Sequence, residues 1–134
     1  MTLNVNPHST LMSSLLRPIH PPEGAQAETV QVMPLDSFLP SFIEVMPEPR
    51  VFLKIDAEGY DLSVFRGAAK TLQYVVGLQA ELYAQPVYAR TPHYLDALQV
   101  YEDEGFELTH LSVVSRTSSG EIECMDCLMK RAVH

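Results

Sequence analysis

Val51-Phe52-Leu53-Lys54-Ile55-Asp56-Ala57-Glu58-Gly59-Tyr60-Asp61 is the stretch from which the fold can be read. It opens on a short apolar run rich in branched and aromatic residues. The run is too short for a helix, and it reads as a strand buried on both faces. It stops at Asp56. Asp56 and Glu58 then sit two residues apart, and Gly59 follows. Beyond the glycine, Leu62, Phe65, Ala69 and Leu72 fall at i, i+3, i+7 and i+10, which predicts one face of a helix over residues 61–73. The order is strand, acidic turn, helix. In an open α/β sheet ligands bind just beyond the carboxyl ends of the strands, so Asp56 and Glu58 stand where such a site would be.

Downstream, Val75, Val76, Leu78, Ala80 and Leu82 predict a second buried strand over residues 75–82, with Glu81 near its end. If this strand runs parallel to the first, Glu81 lies beside Asp56 and Glu58, and a right-handed crossover puts the intervening helix on one face. Thr91 as N-cap, Pro92 at the first helical position and Gly105 past the end mark a further helix with Tyr94, Leu95, Leu98 and Tyr101 on its buried side. "FELTHLSVVS" and "IECMDCLMKRA" read as two strands. Their connector, Arg116 to Gly120, is too short for a crossover helix, so the pair is a hairpin.

Upstream the signals are weaker. Residues 1–29 read mostly as loop, apart from Leu3 and Val5, which alternate with polar neighbours as a short half-buried strand does. "TVQVMPL" alternates Val30 and Val32 and reads as another strand. Asp36 is a candidate cap for a helix over Ser37 to Met46 with Leu39, Phe42, Ile43 and Met46 on its apolar side, although Pro40 would shorten or kink it. The chain of 134 residues is read as a single α/β domain, with the sheet and helices in residues 30–134.

Composition narrows the function. A net charge of −8 lacks the clustered Lys and Arg of a nucleic-acid footprint and disfavours an anionic membrane surface. No apolar run has transmembrane length, and the N-terminus shows no signal peptide, so a cytoplasmic location is expected. The Cys124-x-x-Cys127 spacing invites a zinc or redox reading. A structural zinc would need a second ligand pair, and a redox pair would open a helix. Three residues apart on a strand, the two thiols face opposite sides, and the plainer reading is a pair of reduced core cysteines. His20, His93, His110 and His134 show no metal spacing.

Two carboxylates two apart can hold a divalent cation through oxygen, or act as a general base and its partner, since close like charges raise one pKa. The bland alternative is that Asp56 caps the turn and Glu58 pairs with Lys54 or Arg66. Gly59 supplies a backbone angle that other residues resist, or the close approach of a ligand. Tyr60, Tyr83 and Tyr88 follow the strand ends and either wall a pocket or simply cover the sheet.

"LKIDAEGYDLSVFRGAAKTL" resembles the signature of the FkbM-type family of S-adenosylmethionine-dependent methyltransferases, at Lys54, Ile55, Asp56, Glu58 and Gly59 and again at Phe65, Arg66, Gly67 and Ala68. "PLDSFL", "LQAELY", "EGFELTHL" and "CMDCLMKR" resemble the elements expected before and after it, in order. The resemblance implies a partial Rossmann-like fold: a mixed sheet ending in an antiparallel hairpin. It implies O-methyl transfer to a hydroxyl of a small molecule or sugar, with Asp56 and Glu58 catalytic and Asp56 and Gly59 at the cofactor. It also places Glu81, Tyr83 and Ser14 toward the substrate, the last with Ser13 and His8 in a Ser-rich segment. A divalent metal is possible but not indicated.

The family pattern begins with a strand and a Gly-rich cofactor turn, and none of the six glycines here forms a Gly-x-Gly turn between a strand and a helix. The chain therefore reads as the C-terminal portion of a methyltransferase, expected to bind S-adenosylmethionine weakly or not at all by itself. In that fold the neighbour of strand 51–55 carries the cofactor turn. Without it the strand is an edge, expected to recruit a second copy unless "TVQVM" covers it. A non-catalytic binding or assembly module built on the same half-fold is the competing expectation. A metal-dependent hydrolase using Asp56, Glu58 and Glu81 is a third.

Overall fold

The computed structural model describes residues 1–132; Val133 and His134 lie outside the described residues. Val51–Lys54 forms a strand, β3, numbered after the N-terminal pair β1 (Thr2–Val5) and β2 (Gln26–Thr29). β3 runs parallel to β4 (Val75–Tyr83), with Leu53 opposite Leu78 and Lys54 opposite Gln79. α3 (Asp61–Arg66) lies in the crossover between them. α4 (Tyr94–Asp103) then leads into β5 (Phe106–Arg116), which folds back on β6 (Ile122–Arg131) as the predicted antiparallel hairpin. β6 inserts beside β4, also antiparallel, so the sheet order is β3-β4-β6-β5. The result is a mixed α/β sheet, as expected.

Register explains the core. Leu78 faces Met129, Ala80 faces Cys127 and Leu82 faces Met125, so one side of the sheet is apolar strand after strand. Leu62 and Phe65 of α3 and Ala97 and Tyr101 of α4 close over it, joined by Phe106. The Phe65 ring meets Tyr101 edge-on at 4.7 Å between centroids and Phe106 at 5.9 Å. Burying each such side chain contributes about 1.5–3 kcal/mol. Cys127 lies in this core, while Cys124 packs on the other side against Tyr83 and Tyr88; both thiols are free, and the opposite-face expectation holds.

Several expectations change. β3 is not buried on both faces: Phe52 is 55 % exposed, because β3 is an edge strand and the side bearing Phe52 and Lys54 is only partly covered. The strand expected at "TVQVM" falls earlier, at Gln26–Thr29, where β1 supplies its partners; the pairing ends at Met1, and residues 30–34 are not in a strand. The helix over 37–46 is two single turns, α1 (Leu35–Phe38) and α2 (Pro40–Ile43), since Pro40 has no N–H to continue the first. Of its expected apolar side only Ile43 is buried. Asp36 caps no turn of its own helix. Its carboxylate instead accepts the backbone N–H groups of Lys70 and Thr71 and the Thr71 hydroxyl.

α3 stops at Arg66 rather than near 73, and Gly67 follows as its C-cap. A Cβ on Gly67 would lie 3.5 Å from Pro34 Cα, an ordinary van der Waals distance. Because the helix ends early, Ala68 and not Ala69 enters the core. α4 begins at Tyr94, two positions later than the Thr91 cap implies. The Thr91 hydroxyl turns back to donate to the Tyr88 carbonyl at 2.9 Å, and no side chain caps the helix. Leu95, placed on the buried side, is 56 % exposed, whereas Gly105 follows the helix with φ +84°, as read.

Candidate functional site

Ile55, buried, makes the last ladder bond of β3 by donating its N–H to the Gln79 carbonyl at 2.8 Å. The chain then leaves the sheet through Asp56-Ala57-Glu58-Gly59-Tyr60. Both Glu58 (φ +49°) and Gly59 (φ +85°) take left-handed backbone, and Tyr60 donates to the Ala57 carbonyl at 3.1 Å. Left-handed backbone is ordinary for glycine and costs a glutamate about 1 kcal/mol or more, so surrounding contacts must hold it.

Those contacts come from distant parts of the chain. The Ser14 hydroxyl donates to the Glu58 carbonyl at 2.6 Å. The Tyr88 hydroxyl donates to Glu58 Oε2, also at 2.6 Å. A Cβ on Gly59 would sit 2.9 Å from Thr91 Oγ1 and 3.1 Å from a Tyr88 ring carbon. Gly59 is therefore closed in by protein atoms. Its positive φ and the closeness of Thr91 and Tyr88 both account for the glycine.

β4 carries the other half. Its parallel pairing with β3 brings Glu81 to the same end of the sheet, as expected. One carboxylate oxygen from each of Asp56, Glu58 and Glu81 lies within 4.8 Å of the others. The Tyr83 hydroxyl stands between two of them, 3.1 Å from Glu81 Oε2 and 3.4 Å from Glu58 Oε2. Asp56 is exposed and pairs with Lys54 at 2.5 Å; Glu58 pairs with neither Lys54 nor Arg66, since its carboxylate goes to the tyrosines. Three oxygens so spaced could supply only part of the ligand set of a hard divalent cation, and acidic groups commonly cluster this way without one. A cavity of about 220 Å³ opens beside them, lined by Glu58, Glu81, Glu123, Tyr83, Tyr88 and Met12 among others.

The electrostatics single out Glu81. Burial, then the neighbouring carboxylates of Glu58, Asp61 and Asp56, push it up to about 7 against the lowering effect of the Tyr83 hydroxyl. Also facing this end of the sheet are Lys54 from β3 and Cys124, Asp126 and Glu123 from β6. Burial raises the Cys124 thiol to about 12, with Glu81 adding to it. Burial, reinforced by the carboxylates, moves the phenols of Tyr83 and Tyr88 well above their ordinary value, so both stay protonated donors.

Ser14 lies beneath the turn and not on the cavity. It is 1 % exposed, and besides the Glu58 carbonyl its oxygen accepts the Leu16 N–H at 3.0 Å. Ser13 accepts the Asn6 N–H, and His8 contacts the Glu23 carbonyl, so neither reaches the acids.

Asp61 is the participant that the sequence reading passed over. It is buried, and its Oδ1 accepts the Glu81 N–H at 3.1 Å. Burial raises it to about 6 against the pull of backbone donors. Among the described residues its Oδ2 and the Tyr101 hydroxyl have no partner, and both residues line a cavity of about 10 Å³ beside Glu81, room for one water. The signal was present: Asp61 stands at helical spacing from Phe65 and Ala68, an acid on an apolar face.

A parallel strand pair with converging acids at its carboxyl ends, continued by a helix and an antiparallel hairpin, defines an α/β domain with a strand-end site. The family model for the Methyltransferase FkbM domain matches residues 3–108, most of the chain, and the chain belongs to that family. No curated protein and no solved structure matches it. The match runs from β1 into β5, so the likeness of "CMDCLMKR" to a closing strand lies beyond it. Among the described residues no helix is long and apolar enough to cross a membrane.

Proposed function

We propose that the chain acts as an S-adenosylmethionine-dependent methyltransferase domain that methylates a hydroxyl of a small molecule or sugar. The observation that carries this is the convergence of Asp56, Glu58 and Glu81 at the ends of β3 and β4, beside an open cavity, within a chain of the FkbM family. Methyl transfer is an in-line displacement. The protein must align the acceptor oxygen and accept its proton, so positioning supplies much of the rate. Asp56, exposed, faces the incoming groups. Glu58 is oriented by the Tyr88 hydroxyl. Glu81, titrating near neutrality, has the affinity a general base needs to take the acceptor's proton on a carboxylate oxygen and release it again.

The donor set suits one end of the cofactor. When bound, S-adenosylmethionine supplies a methyl group on a sulfonium cation. Asp56 and Glu58 would hold that positive charge, with the tyrosine rings beside it. For the nucleoside end, no described strand-to-helix turn offers an open glycine cradle, since Gly59 is closed in by Thr91 and Tyr88. This observation also favours a second reading, a binding or assembly module that keeps the half-fold without turnover. The three carboxylates could supply part of a cation site, but methyl transfer by this route does not require a metal. Two buried unpaired thiols are in keeping with a reducing, cytoplasmic setting.

Methyl-labelled S-adenosylmethionine offered with a panel of sugars and hydroxylated small molecules tests the proposal. Label transferred to one acceptor class supports it. Binding of an acceptor with no label transferred supports the module.

A further inference from the structure

The N-terminal segment is stitched to the acidic turn by more than proximity. Ser14 forms a two-way backbone bridge with Asn4: Asn4 donates to the Ser14 carbonyl at 2.7 Å, and Ser14 donates back to the Asn4 carbonyl at 3.0 Å. The Asn4 amide also donates to the carbonyls of Ser14, at 3.2 Å, and Leu16, at 3.0 Å. Leu16 packs within 3.4 Å of where a Gly59 Cβ would stand. Further on, Ile19 donates to the Val87 carbonyl at 3.0 Å, and Ala89 donates to the Arg17 carbonyl at 2.8 Å. These bonds flank Tyr88. The same segment therefore holds both partners of one hydrogen bond: the backbone of Glu58, through Ser14, and the loop that carries the Tyr88 hydroxyl.

Glu58 requires such a hold. It is a non-glycine residue in left-handed backbone, and the same residue carries both the carbonyl held by Ser14 and the carboxylate held by Tyr88. A relaxed turn would rotate the carboxylate away from Tyr88, Tyr83 and Glu81. We propose that Ser14 is a positioning residue: its hydroxyl, donated to the Glu58 carbonyl, locks the left-handed turn and so aims the Glu58 carboxylate at Tyr88 and Glu81. This rests on the strand-end acids being the site, and it assigns residues 4–19 the task of building that site.

The test reads the acids directly, by carbon-detected NMR titration of the Glu58 and Glu81 side chains in the full chain. Ser14→Ala frees the turn. With the Glu58 charge swung away and water admitted, the Glu81 midpoint should drop by about one pH unit toward the ordinary carboxylate range. Asn4→Ala loosens the same segment without touching the turn, and it should move the midpoint the same way by less. Ser13→Ala removes a neighbouring hydroxyl that accepts the Asn6 N–H, and it should leave the midpoint in place. A structural role alone would lower the melting temperature of Ser14→Ala and leave the titration of the folded protein untouched. An unmoved Glu81 midpoint in both Ser14→Ala and Asn4→Ala overturns the proposal. Because the titration needs no substrate, a shifted midpoint alongside absent methyl transfer would count against the proposed activity and not against Ser14.

Discussion

Replacing Glu81 by Gln should flatten the pH dependence of stability. The carboxyl titrates at about 7 in the folded chain against a reference of 4.5, because of burial and then the charges of Glu58, Asp61 and Asp56. The sign follows from proton binding. Between those two values the unfolded chain has released the proton and the folded chain retains it, so unfolding free energy falls as pH rises. The protonated carboxyl thus contributes stability that is complete below about pH 4.5 and is lost as pH climbs through about 7.

At about 1.4 kcal/mol per pH unit the gap corresponds to roughly 3 kcal/mol. The side chain is only half shielded from water, and screening reduces this to about 1–2 kcal/mol. Asp61, raised to about 6 mainly by burial, adds a fall of the same sign at lower pH. Denaturant unfolding at about pH 5 and about pH 8 measures the effect. The wild-type chain should lose stability between them, and Glu81→Gln should lose about 1–2 kcal/mol less. Wild-type stability that is flat or rises over this interval, or a variant that falls as steeply as the wild type, would refute the reasoning.

Further outcomes follow from the same geometry. Titration calorimetry should give weak binding of S-adenosylmethionine, because no described turn cradles the nucleoside, so turnover is read at cofactor concentrations well above that affinity; a low-micromolar dissociation constant would contradict this. Light scattering should show self-association that grows with concentration, since β3 is an edge strand with Phe52 exposed; a clean monomer throughout would mean the edge does not recruit a second copy. Tyr88→Phe, which removes the 2.6 Å bond to Glu58 but keeps the ring, should slow methyl transfer several-fold while leaving the fold intact; unchanged turnover would show that Glu58 needs no such donor.

The parts of the fold legible in the sequence are those specified by local pattern. The runs at 51–55 and 75–82 pair in parallel, because each is a short apolar stretch separated by room for a crossover. The Arg116 to Gly120 connector could only close a hairpin. Gly105 ends its helix with the positive φ that such a position demands. Where the local pattern failed, a neighbour decided the outcome. Asp36 caps no turn of its own helix, because the N–H groups of Lys70 and Thr71 take its carboxylate.

The same holds for the site. Asp56, Glu58 and Glu81 could be placed from strand ends alone. The hydroxyl of Ser14 reaches across 44 positions of sequence to the Glu58 carbonyl, and nothing in a run of serines distinguishes a residue facing a substrate from one locked beneath a turn. Asp61 is legible as an acid at core spacing, a polar residue on the apolar face of its helix.

The most direct measurement compares methyl-transfer turnover of the wild-type protein with that of Asp56→Asn and Glu58→Gln, alongside their melting temperatures. Asp56 is exposed and pairs with Lys54, so the amide keeps shape and packing while removing the charge. The account predicts that Asp56→Asn abolishes turnover, that Glu58→Gln lowers it less severely, and that both melt close to the wild type. Near-normal turnover in both variants would reduce the acidic turn to a structural feature and contradict the assignment.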